Sequence, residues 1–225
     1  MPALAPYSWP ALLVGLILLA YWLRVVQMVR RTRRRTGRDA NFVPPEKLGR
    51  VLRMVWAPVV MFWVVLPILG AYWPGGPFPF RPLFDETWVD WSALCIAIVA
   101  FALTWVCWRN MGTSWRMGID PAEKTRLVFT GPFAYVRHPI YGLSSVLMLM
   151  TMLIVASPAM IVVGALHLAL LQWEVAREEV YLVAAHGDPY RDYQRQVGRF
   201  FPRSVRAYQP RNGDPVPSPG TPGEG

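Results

Sequence analysis

Two polar and aromatic segments flank one long apolar stretch, and they hold the residues whose types and spacing are best suited to chemistry. The first block, residues 127–142, reads LVFTGPFAYVRHPIYG, and the second block, residues 178–202, reads EEVYLVAAHGDPYRDYQRQVGRFFP. In the first block, Arg137 and His138 stand just before Pro139, where a helix is expected to begin, and a helix N-terminus is a ready site for an anion. Acids, His and Tyr are the usual side chains for proton transfer. The two blocks together predict a functional site at the base of the hairpin that joins them.

Each block taken alone also fits a simpler role at a membrane surface. Arg137 could reach lipid phosphate while Tyr135 and Tyr141 anchor the chain at the interface. Tyr190 and Tyr193, followed by several arginines, resemble an amphipathic segment that lies on anionic lipid. Neither alternative explains why acids, a His and turn prolines gather at both ends of one hairpin.

The composition indicates that these blocks belong to a membrane protein. Of the 225 residues, 54% are hydrophobic and only 16% are charged, whereas a soluble domain carries about 25% charged residues. The net charge of +9 could suggest nucleic acid, but the arginines lie in loops between apolar runs. Basic loops that face anionic lipid explain this distribution, so the expected partner is the lipid bilayer and no nucleic acid is expected.

The apolar runs predict an all-α membrane protein with about five transmembrane helices and a cytoplasmic C-terminal helical segment. A span needs about 20 apolar residues to cross a hydrocarbon core of about 30 Å. Ser157-Pro158 divides the last run into two helices, both expected to be short, because Pro disfavours helix at the residue before it. The helical pattern then continues to the break at Gly187-Asp188-Pro189. The predicted spans are 8–29, 51–72, 88–108 and the two parts of 139–172.

The loop charges predict the orientation of these spans. Nine Lys or Arg residues lie between Arg30 and Arg53, five between Arg109 and Arg137, and seven from Arg177 onward, whereas the loop 74–87 has only Arg81. The positive-inside rule then predicts a multi-pass protein with its N-terminus outside and its C-terminus in the cytoplasm. Both blocks are therefore expected on the cytoplasmic side.

The chain divides into three parts on these patterns. Residues 1–108 are expected to form a three-span membrane anchor with a basic cytoplasmic loop at 30–53, and residues 109–207 to form the catalytic core around the hairpin 139–173. The Pro- and Gly-rich tail, 208–225, is expected to be disordered. The two Cys and three His residues are too scattered along the chain to predict a disulfide framework or a metal site.

The two blocks resemble the integral-membrane methyltransferases that include isoprenylcysteine carboxyl methyltransferase and, more remotely, the phospholipid N-methyltransferases. The resemblance covers about residues 109–203. It consists of two motifs, which follow one another in this chain in the same order as in the family. Gly142 stands one position earlier than the family's Gly, and Phe133 replaces a frequent Tyr. Glu174 stands where the carboxyl methyltransferases have a substrate-binding Arg, which argues against a prenylcysteine carboxylate as acceptor. The matching residues are Leu127, Val128, Gly131, Pro132, Phe133, Arg137, His138, Pro139 and Tyr141, then Glu178, Glu179, Leu182, Gly187, Tyr190, Tyr193, Val197 and Pro202.

The resemblance implies S-adenosylmethionine as cofactor, held between the hairpin and the C-terminal segment. It implies methyl transfer to a hydrophobic or lipid-linked acceptor. Aromatic and Pro surfaces suit adenine, and a carboxylate can accept hydrogen bonds from ribose hydroxyls. Carried over by position, the cofactor contacts are Arg126, Leu127, Val128, Phe133, His138, Pro139, Ile140, Tyr141 and Glu178.

The expected catalytic residues are Arg137, Glu179 and Tyr190. An amine or thiol acceptor must lose a proton, for which Glu179, His138 or Tyr190 are the candidates, whereas a carboxylate acceptor would pair with Arg137 or Arg199. Two other classes remain open on the sequence: an NADPH-dependent membrane reductase of the sterol-reductase type, and a non-catalytic membrane scaffold.

Overall fold

A computed structural model describes residues 8–37, 40–73, 75–84, 86–118 and 127–210. The described chain is helical, and four of its helices are long and apolar enough to cross a membrane, with a fifth apolar helix of 16 residues between the third and the last of them. The expectation of an all-α membrane protein with about five apolar helices is confirmed. The helices are α1 (Trp9–Thr36), α2 (Lys47–Tyr72), α3 (Thr87–Met111), α4 (Pro139–Ile154), α5 (Pro158–His186) and α6 (Asp188–Gln196).

Local sequence signals set the helix ends. Ser8 caps α1 by accepting a hydrogen bond from the Ala11 N–H at 3.3 Å, and Ser157 caps α5 by accepting one from the Met160 N–H at 3.2 Å. At the other end of α1, Gly37 has a φ of 72°, the left-handed conformation that commonly closes a helix. α1 therefore runs beyond the apolar stretch and carries the arginine cluster of the loop on its last turns.

The hairpin formed by α4 and α5 turns at Ser157-Pro158, as predicted, but its two helices differ in length. α4 has 16 residues and α5 has 29, so the expectation of two short helices is wrong for α5, whereas the expected continuation of the helix to Gly187 is confirmed. The apolar run ends near Gln172, but the residues after it also favour a helix, and no Gly or Pro interrupts them before Gly187. The extra turns carry Glu174, Glu178 and Glu179 out of the apolar region on a continuous helix.

The helices form one bundle around the hairpin. α4 packs against α3 and α5, while α2 packs against both α1 and α5. The main core is built from buried apolar residues of α1 to α5, with Trp63 and Leu147 fully enclosed. A second, smaller cluster contains Phe129, Tyr190, Tyr193, Val197 and Tyr208, and it lies where the C-terminal segment meets the first block.

Tyr208, the first residue of the expected tail, belongs to this second cluster. Its ring lies 5.3 Å from the Phe129 ring and 5.0 Å from the Tyr193 ring, and its N–H donates to the Ala134 carbonyl at 2.9 Å. The packed core therefore extends at least to Tyr208. The rest of the expected tail, from residue 211, lies outside the described residues.

Candidate active site

A buried ion pair joins the two blocks. Arg137 Nε and Nη2 donate to Glu179 Oε1 at 3.0 and 2.6 Å, and both side chains are at most 7% exposed. Arg199 donates to the other oxygen of Glu179, and the remaining nitrogen of Arg137 donates to the carbonyls of Gln194 and Val197. Hydrogen bonds between ionised groups are roughly twice as strong as neutral ones. Arg137 thus clamps the start of α4 to α5 and to the C-terminal segment.

Backbone contacts reinforce this clamp. The Arg137 N–H donates to the Gly198 carbonyl at 2.9 Å, and the His138 N–H donates to the Arg199 carbonyl at 3.0 Å. Tyr193 adds a side-chain hydrogen bond to the carbonyl of Phe133. The first block can turn sharply enough for these contacts because Gly131 has a φ of 59°, and a Cβ there would lie 2.6 Å from the Asn110 side chain.

One cavity of about 200 Å³ runs from these blocks into the helix bundle. Its outer end is lined by Glu178, Tyr190 and Tyr193, and its inner end by His167 of α5 and Ser144 of α4. Glu178 and His167 are eleven residues apart on α5, which is about 16 Å along a helix. The cavity is therefore elongated, with a polar outer end at the blocks and an inner end between the helices.

Most of the residues predicted from the sequence meet in this cavity. Glu179 is an exception, since it lies in the clamp beside the cavity and its oxygens are bound by Arg137 and Arg199. Arg126 lies outside the described residues. The predicted residues that line the cavity are Leu127, Val128, Phe133, Arg137, His138, Pro139, Ile140, Tyr141, Glu178 and Tyr190.

Four buried polar atoms of the cavity's lining residues have no hydrogen-bond partner in the described part of the chain. They are Trp22 Nε1, Arg53 Nε, His138 Nε2 and Tyr190 Oη. The nearest acid oxygen to His138 Nε2 is Glu179 Oε1 at 3.4 Å, and His138 Nδ1 lies 3.9 Å from Glu178 Oε2. A buried polar group without a partner costs about 1 to 3 kcal/mol. Such atoms on a cavity wall are candidates for contact with a bound polar molecule.

Burial also fixes the protonation state of the two tyrosines of α6. It raises the pKa of Tyr190 well above its ordinary value, and the neighbouring Glu179 and Glu178 carboxylates raise it further. Burial raises the pKa of Tyr193 in the same direction. Both phenols therefore stay protonated at physiological pH and act as hydrogen-bond donors. Tyr190 is poorly suited to the role of general base.

The inner end of the cavity contains residues that the sequence motifs did not predict. Tyr21 of α1, Arg53 and Trp56 of α2, and Ser144 and His167 of the hairpin all line it. Tyr21, Arg53 and Trp56 belong to the segment that the sequence assigns to a membrane anchor. Each of the five lies within an apolar run without a motif around it, so only the folded arrangement brings them together.

A second network of side-chain contacts holds the loop between α1 and α2 against α5 and the segment that follows α3. Arg177 donates to Glu174 at 2.7 Å and also to Glu46, which immediately precedes α2. Arg53 donates to the Met117 carbonyl at 2.8 Å, and the Asn41 side chain donates to the Gly118 carbonyl at 3.0 Å. Glu174, which replaces the expected Arg, is thus engaged by a cation of its own helix.

Comparisons with known proteins agree with the motifs. Residues 93–184 match the isoprenylcysteine carboxyl methyltransferase (ICMT) family. The chain is 32% identical to the methanethiol S-methyltransferase of Pseudomonas deceptionensis, an alignment that covers 87% of this chain and 74% of that relative.

Two further relatives have names that refer to metal resistance. The nickel-cobalt-cadmium resistance protein NccN of Alcaligenes xylosoxydans xylosoxydans is 29% identical, over 72% of this chain and 68% of the relative. The cobalt-zinc-cadmium resistance protein CzcN of Cupriavidus metallidurans is 28% identical, over 72% of this chain and 67% of the relative. Within the described ranges, no three His, Cys, Asp or Glu side chains are grouped so that they could hold a metal ion.

Proposed function

The chain belongs to the isoprenylcysteine carboxyl methyltransferase-like family of membrane methyltransferases, and from this premise we propose that it uses S-adenosylmethionine to methylate a small hydrophobic acceptor, with a thiol as the favoured class. The observation that carries the proposal is the cavity between the two blocks, lined by His138 and Tyr190 with their unpartnered polar atoms. Membership of a methyltransferase family argues against the reductase and the scaffold.

The residues at the outer end of the cavity fit the proposed cofactor. His138 Nε2 and Tyr190 Oη offer two unused polar contacts, and Glu178 can accept hydrogen bonds from hydroxyl or amino groups. Phe133, Pro139 and the neighbouring apolar residues offer flat surfaces to an aromatic base. When bound, S-adenosylmethionine supplies a methyl group on a positively charged sulfur.

The clamp has a positioning role in this proposal. Arg137 and Glu179 satisfy each other's charge, so neither is available to act as a free acid, base or carboxylate ligand. Together they hold α6 and the second block against the start of α4. This arrangement fixes the walls of the outer end, and positioning of the reactants is the main contribution a protein can make to a direct displacement.

The inner end of the cavity favours a small acceptor. Tyr21, Ser144 and His167 are at most 6% exposed, so at these residues the wall faces the protein interior. The relative that acts on methanethiol supports a thiol. Glu174, engaged by Arg177, stands where a carboxylate-binding Arg is found in the carboxyl methyltransferases, and it disfavours an acidic acceptor.

Labelled cofactor tests this proposal directly. Purified protein in lipid nanodiscs, given methyl-labelled S-adenosylmethionine and ethanethiol, is expected to produce labelled ethyl methyl sulfide. A parallel reaction receives total membrane lipid in place of the thiol. Label found only in lipid would overturn the thiol assignment, and no label in either reaction, from protein shown to be folded, would overturn the proposed function.

A further inference from the structure

One face of α5 runs along the cavity and places an acid in its middle. Four residues of this face line the cavity, and residues spaced three or four apart share one side of a helix. Glu174 lies about 10 Å along the helix axis from His167 at the inner end, and about 6 Å from Glu178 at the outer end. Glu174 therefore stands between the proposed positions of the acceptor and the cofactor. The four residues are His167, Leu171, Glu174 and Glu178.

The Glu174 carboxylate has one oxygen that is held in place and one that can meet a bound molecule. Oε2 accepts a hydrogen bond from Arg177 at 2.7 Å, and Arg177 also donates to Glu46. Within the described ranges, Oε1 accepts no hydrogen bond. The residue lines the cavity although it is only 7% exposed. A molecule in the cavity is thus the available partner for Oε1.

Neighbouring charges keep this carboxylate ionised but basic. Glu174 lies beyond Gln172, where the apolar run of α5 ends. Burial and the Glu178 carboxylate raise the pKa of Glu174, whereas Arg53 lowers it. The hydrogen bond from Arg177 also favours the charged form. The charged and titratable neighbours are Arg53 of α2, Tyr141 of α4, Arg177 and Glu178 of α5, and Glu46, which acts through Arg177.

The proton acceptors predicted from the sequence are engaged elsewhere. Glu179 is bound by two arginines, and Tyr190 keeps its own proton at physiological pH. His138 lies at the outer end beside the proposed cofactor, where its two nitrogens face the oxygens of Glu179 and Glu178 at 3.4 and 3.9 Å. Glu174 is therefore the acid of the cavity that is best placed to receive a proton from the acceptor.

We propose that Glu174 is the general base that removes the proton of a thiol acceptor. This inference rests on the proposed function, because it concerns proton transfer in that same reaction. The S–H bond breaks, its proton passes to Glu174 Oε1, and its electron pair forms the new bond from sulfur to the methyl carbon. The bond from that carbon to the cofactor sulfur breaks, and its electron pair stays on the sulfur of S-adenosylhomocysteine. Solvent takes the proton from Glu174 after the products leave.

A base in this position has a large expected effect on the rate. The thiolate is the nucleophile, and an alkanethiol is mainly protonated at neutral pH. Without a base in the site, only the small ionised fraction of the acceptor can react. A positioned general base typically contributes about 100- to 10,000-fold to a rate.

Two thiols with the same carbon skeleton and different acidity test the assignment. Ethanethiol is mainly protonated at mildly alkaline pH, whereas trifluoroethanethiol is mainly ionised there and needs no base. Glu174→Gln keeps the size of the side chain and an acceptor for Arg177. It is expected to lower kcat for ethanethiol about 100-fold or more, and to change kcat for trifluoroethanethiol less than about threefold.

The pH dependence separates a lost base from a lost packing contact. In Glu174→Gln only thiolate that is already ionised can react, so kcat/KM for ethanethiol is expected to rise about tenfold per pH unit across the neutral range. The wild-type value is expected to change much less over that range, because the base removes the proton during the reaction. A purely structural defect would lower the rate by the same factor at every pH.

Two further variants serve as controls. Glu174→Asp keeps a carboxylate but shortens its reach, so it is expected to slow ethanethiol more than trifluoroethanethiol and to retain more ethanethiol activity than Glu174→Gln. Asp188→Asn is the matched exchange of acid for amide on the surface, where Asp188 is 88% exposed and pairs with Arg191. It is expected to leave both rates unchanged.

The outcomes separate this inference from the proposed function. Wild-type protein that methylates ethanethiol, with an unchanged rate in Glu174→Gln, would overturn the role of Glu174 alone. Equal losses for the two thiols would overturn that role too, whether they occur in Glu174→Gln or, if this variant does not fold, in Glu174→Asp. Folded wild-type protein that transfers no methyl group to either thiol would overturn the thiol assignment of the proposed function.

Discussion

Removing the charge of Glu179 should loosen the contact between residues 131–138, which precede α4, and α5. In Glu179→Gln the side chain keeps its size, but it no longer provides the carboxylate that receives two hydrogen bonds from Arg137 and one from Arg199. Arg137 would then remain buried with neutral acceptors only, which are the new side-chain amide oxygen and the carbonyls of Gln194 and Val197. The perturbation therefore acts on the contact between residues 131–138 and α5 and leaves the helices of the bundle in place.

The size of the expected change in free energy follows from the burial of the ion pair. Breaking one partner of a buried ion pair costs about 3 to 5 kcal/mol, and the Arg137–Glu179 pair is at most 7% exposed. Arg199 is 41% exposed, so its bond contributes no more than about 1 kcal/mol. Because Arg137 keeps neutral acceptors, the lower end of this range applies, and about 3 kcal/mol corresponds to a roughly 100-fold larger population of the state in which residues 131–138 are separated from α5.

Hydrogen–deuterium exchange in nanodiscs measures this population. Amides of residues 131–138 are expected to exchange roughly 100-fold faster in Glu179→Gln, while those of α4 and α5 within the bundle keep their wild-type rates. Arg199→Gln is the matched control, and it should change exchange less than about fivefold. Wild-type exchange of residues 131–138 in Glu179→Gln would refute the argument that the ion pair holds them against α5.

Three further predictions concern the tyrosines of α6, the loop network and the topology. Burial raises the pKa of Tyr190 above its unfolded value near 10, so the unfolded state loses the phenol proton first. The free energy of unfolding should therefore fall as the pH rises above about 10. Tyr190→Phe should reduce this fall when thermal unfolding is followed by fluorescence. Glu46→Gln should speed amide exchange in residues 40–46 and lower the free energy of unfolding by about 1 kcal/mol, because Arg177 loses one of its two acid partners. Unchanged exchange would contradict the contact between Glu46 and Arg177. A cysteine introduced at Ser8 should react with a membrane-impermeant maleimide from outside intact cells, and labelling only after lysis would reverse the predicted orientation.

The helices could be predicted from the sequence because burial in lipid requires long apolar runs, and such runs are readable without a structure. The turn at Ser157-Pro158 was predictable for a local reason, since Pro restricts the residue before it. Hydropathy alone did not predict the full length of α5, because the helix continues through the polar Glu178 and Glu179; the helix propensity of these residues predicted the continuation to Gly187.

The outer end of the cavity was predictable from the two blocks, whereas the inner end was not. The motifs carry His138, Glu178 and Tyr190 at fixed spacings, and the structure brings all three to one cavity. Tyr21 and His167 are single polar residues in apolar runs, 146 positions apart, and their proximity depends on how α1 and α5 pack. Arg137 and Glu179 were recognised as important, but that they neutralise each other could be learned only from their geometry.

Binding of S-adenosylhomocysteine by calorimetry tests the central claim most directly, because it depends on the cavity between the two blocks and on no assumption about the acceptor. Wild-type protein in nanodiscs is expected to bind one equivalent, and Cys107→Ser to bind it with the same affinity. Glu178→Ala is expected to show no binding at the same concentrations. Folded wild-type protein that binds neither S-adenosylhomocysteine nor S-adenosylmethionine, or equal binding by Glu178→Ala, would contradict the assignment of this cavity.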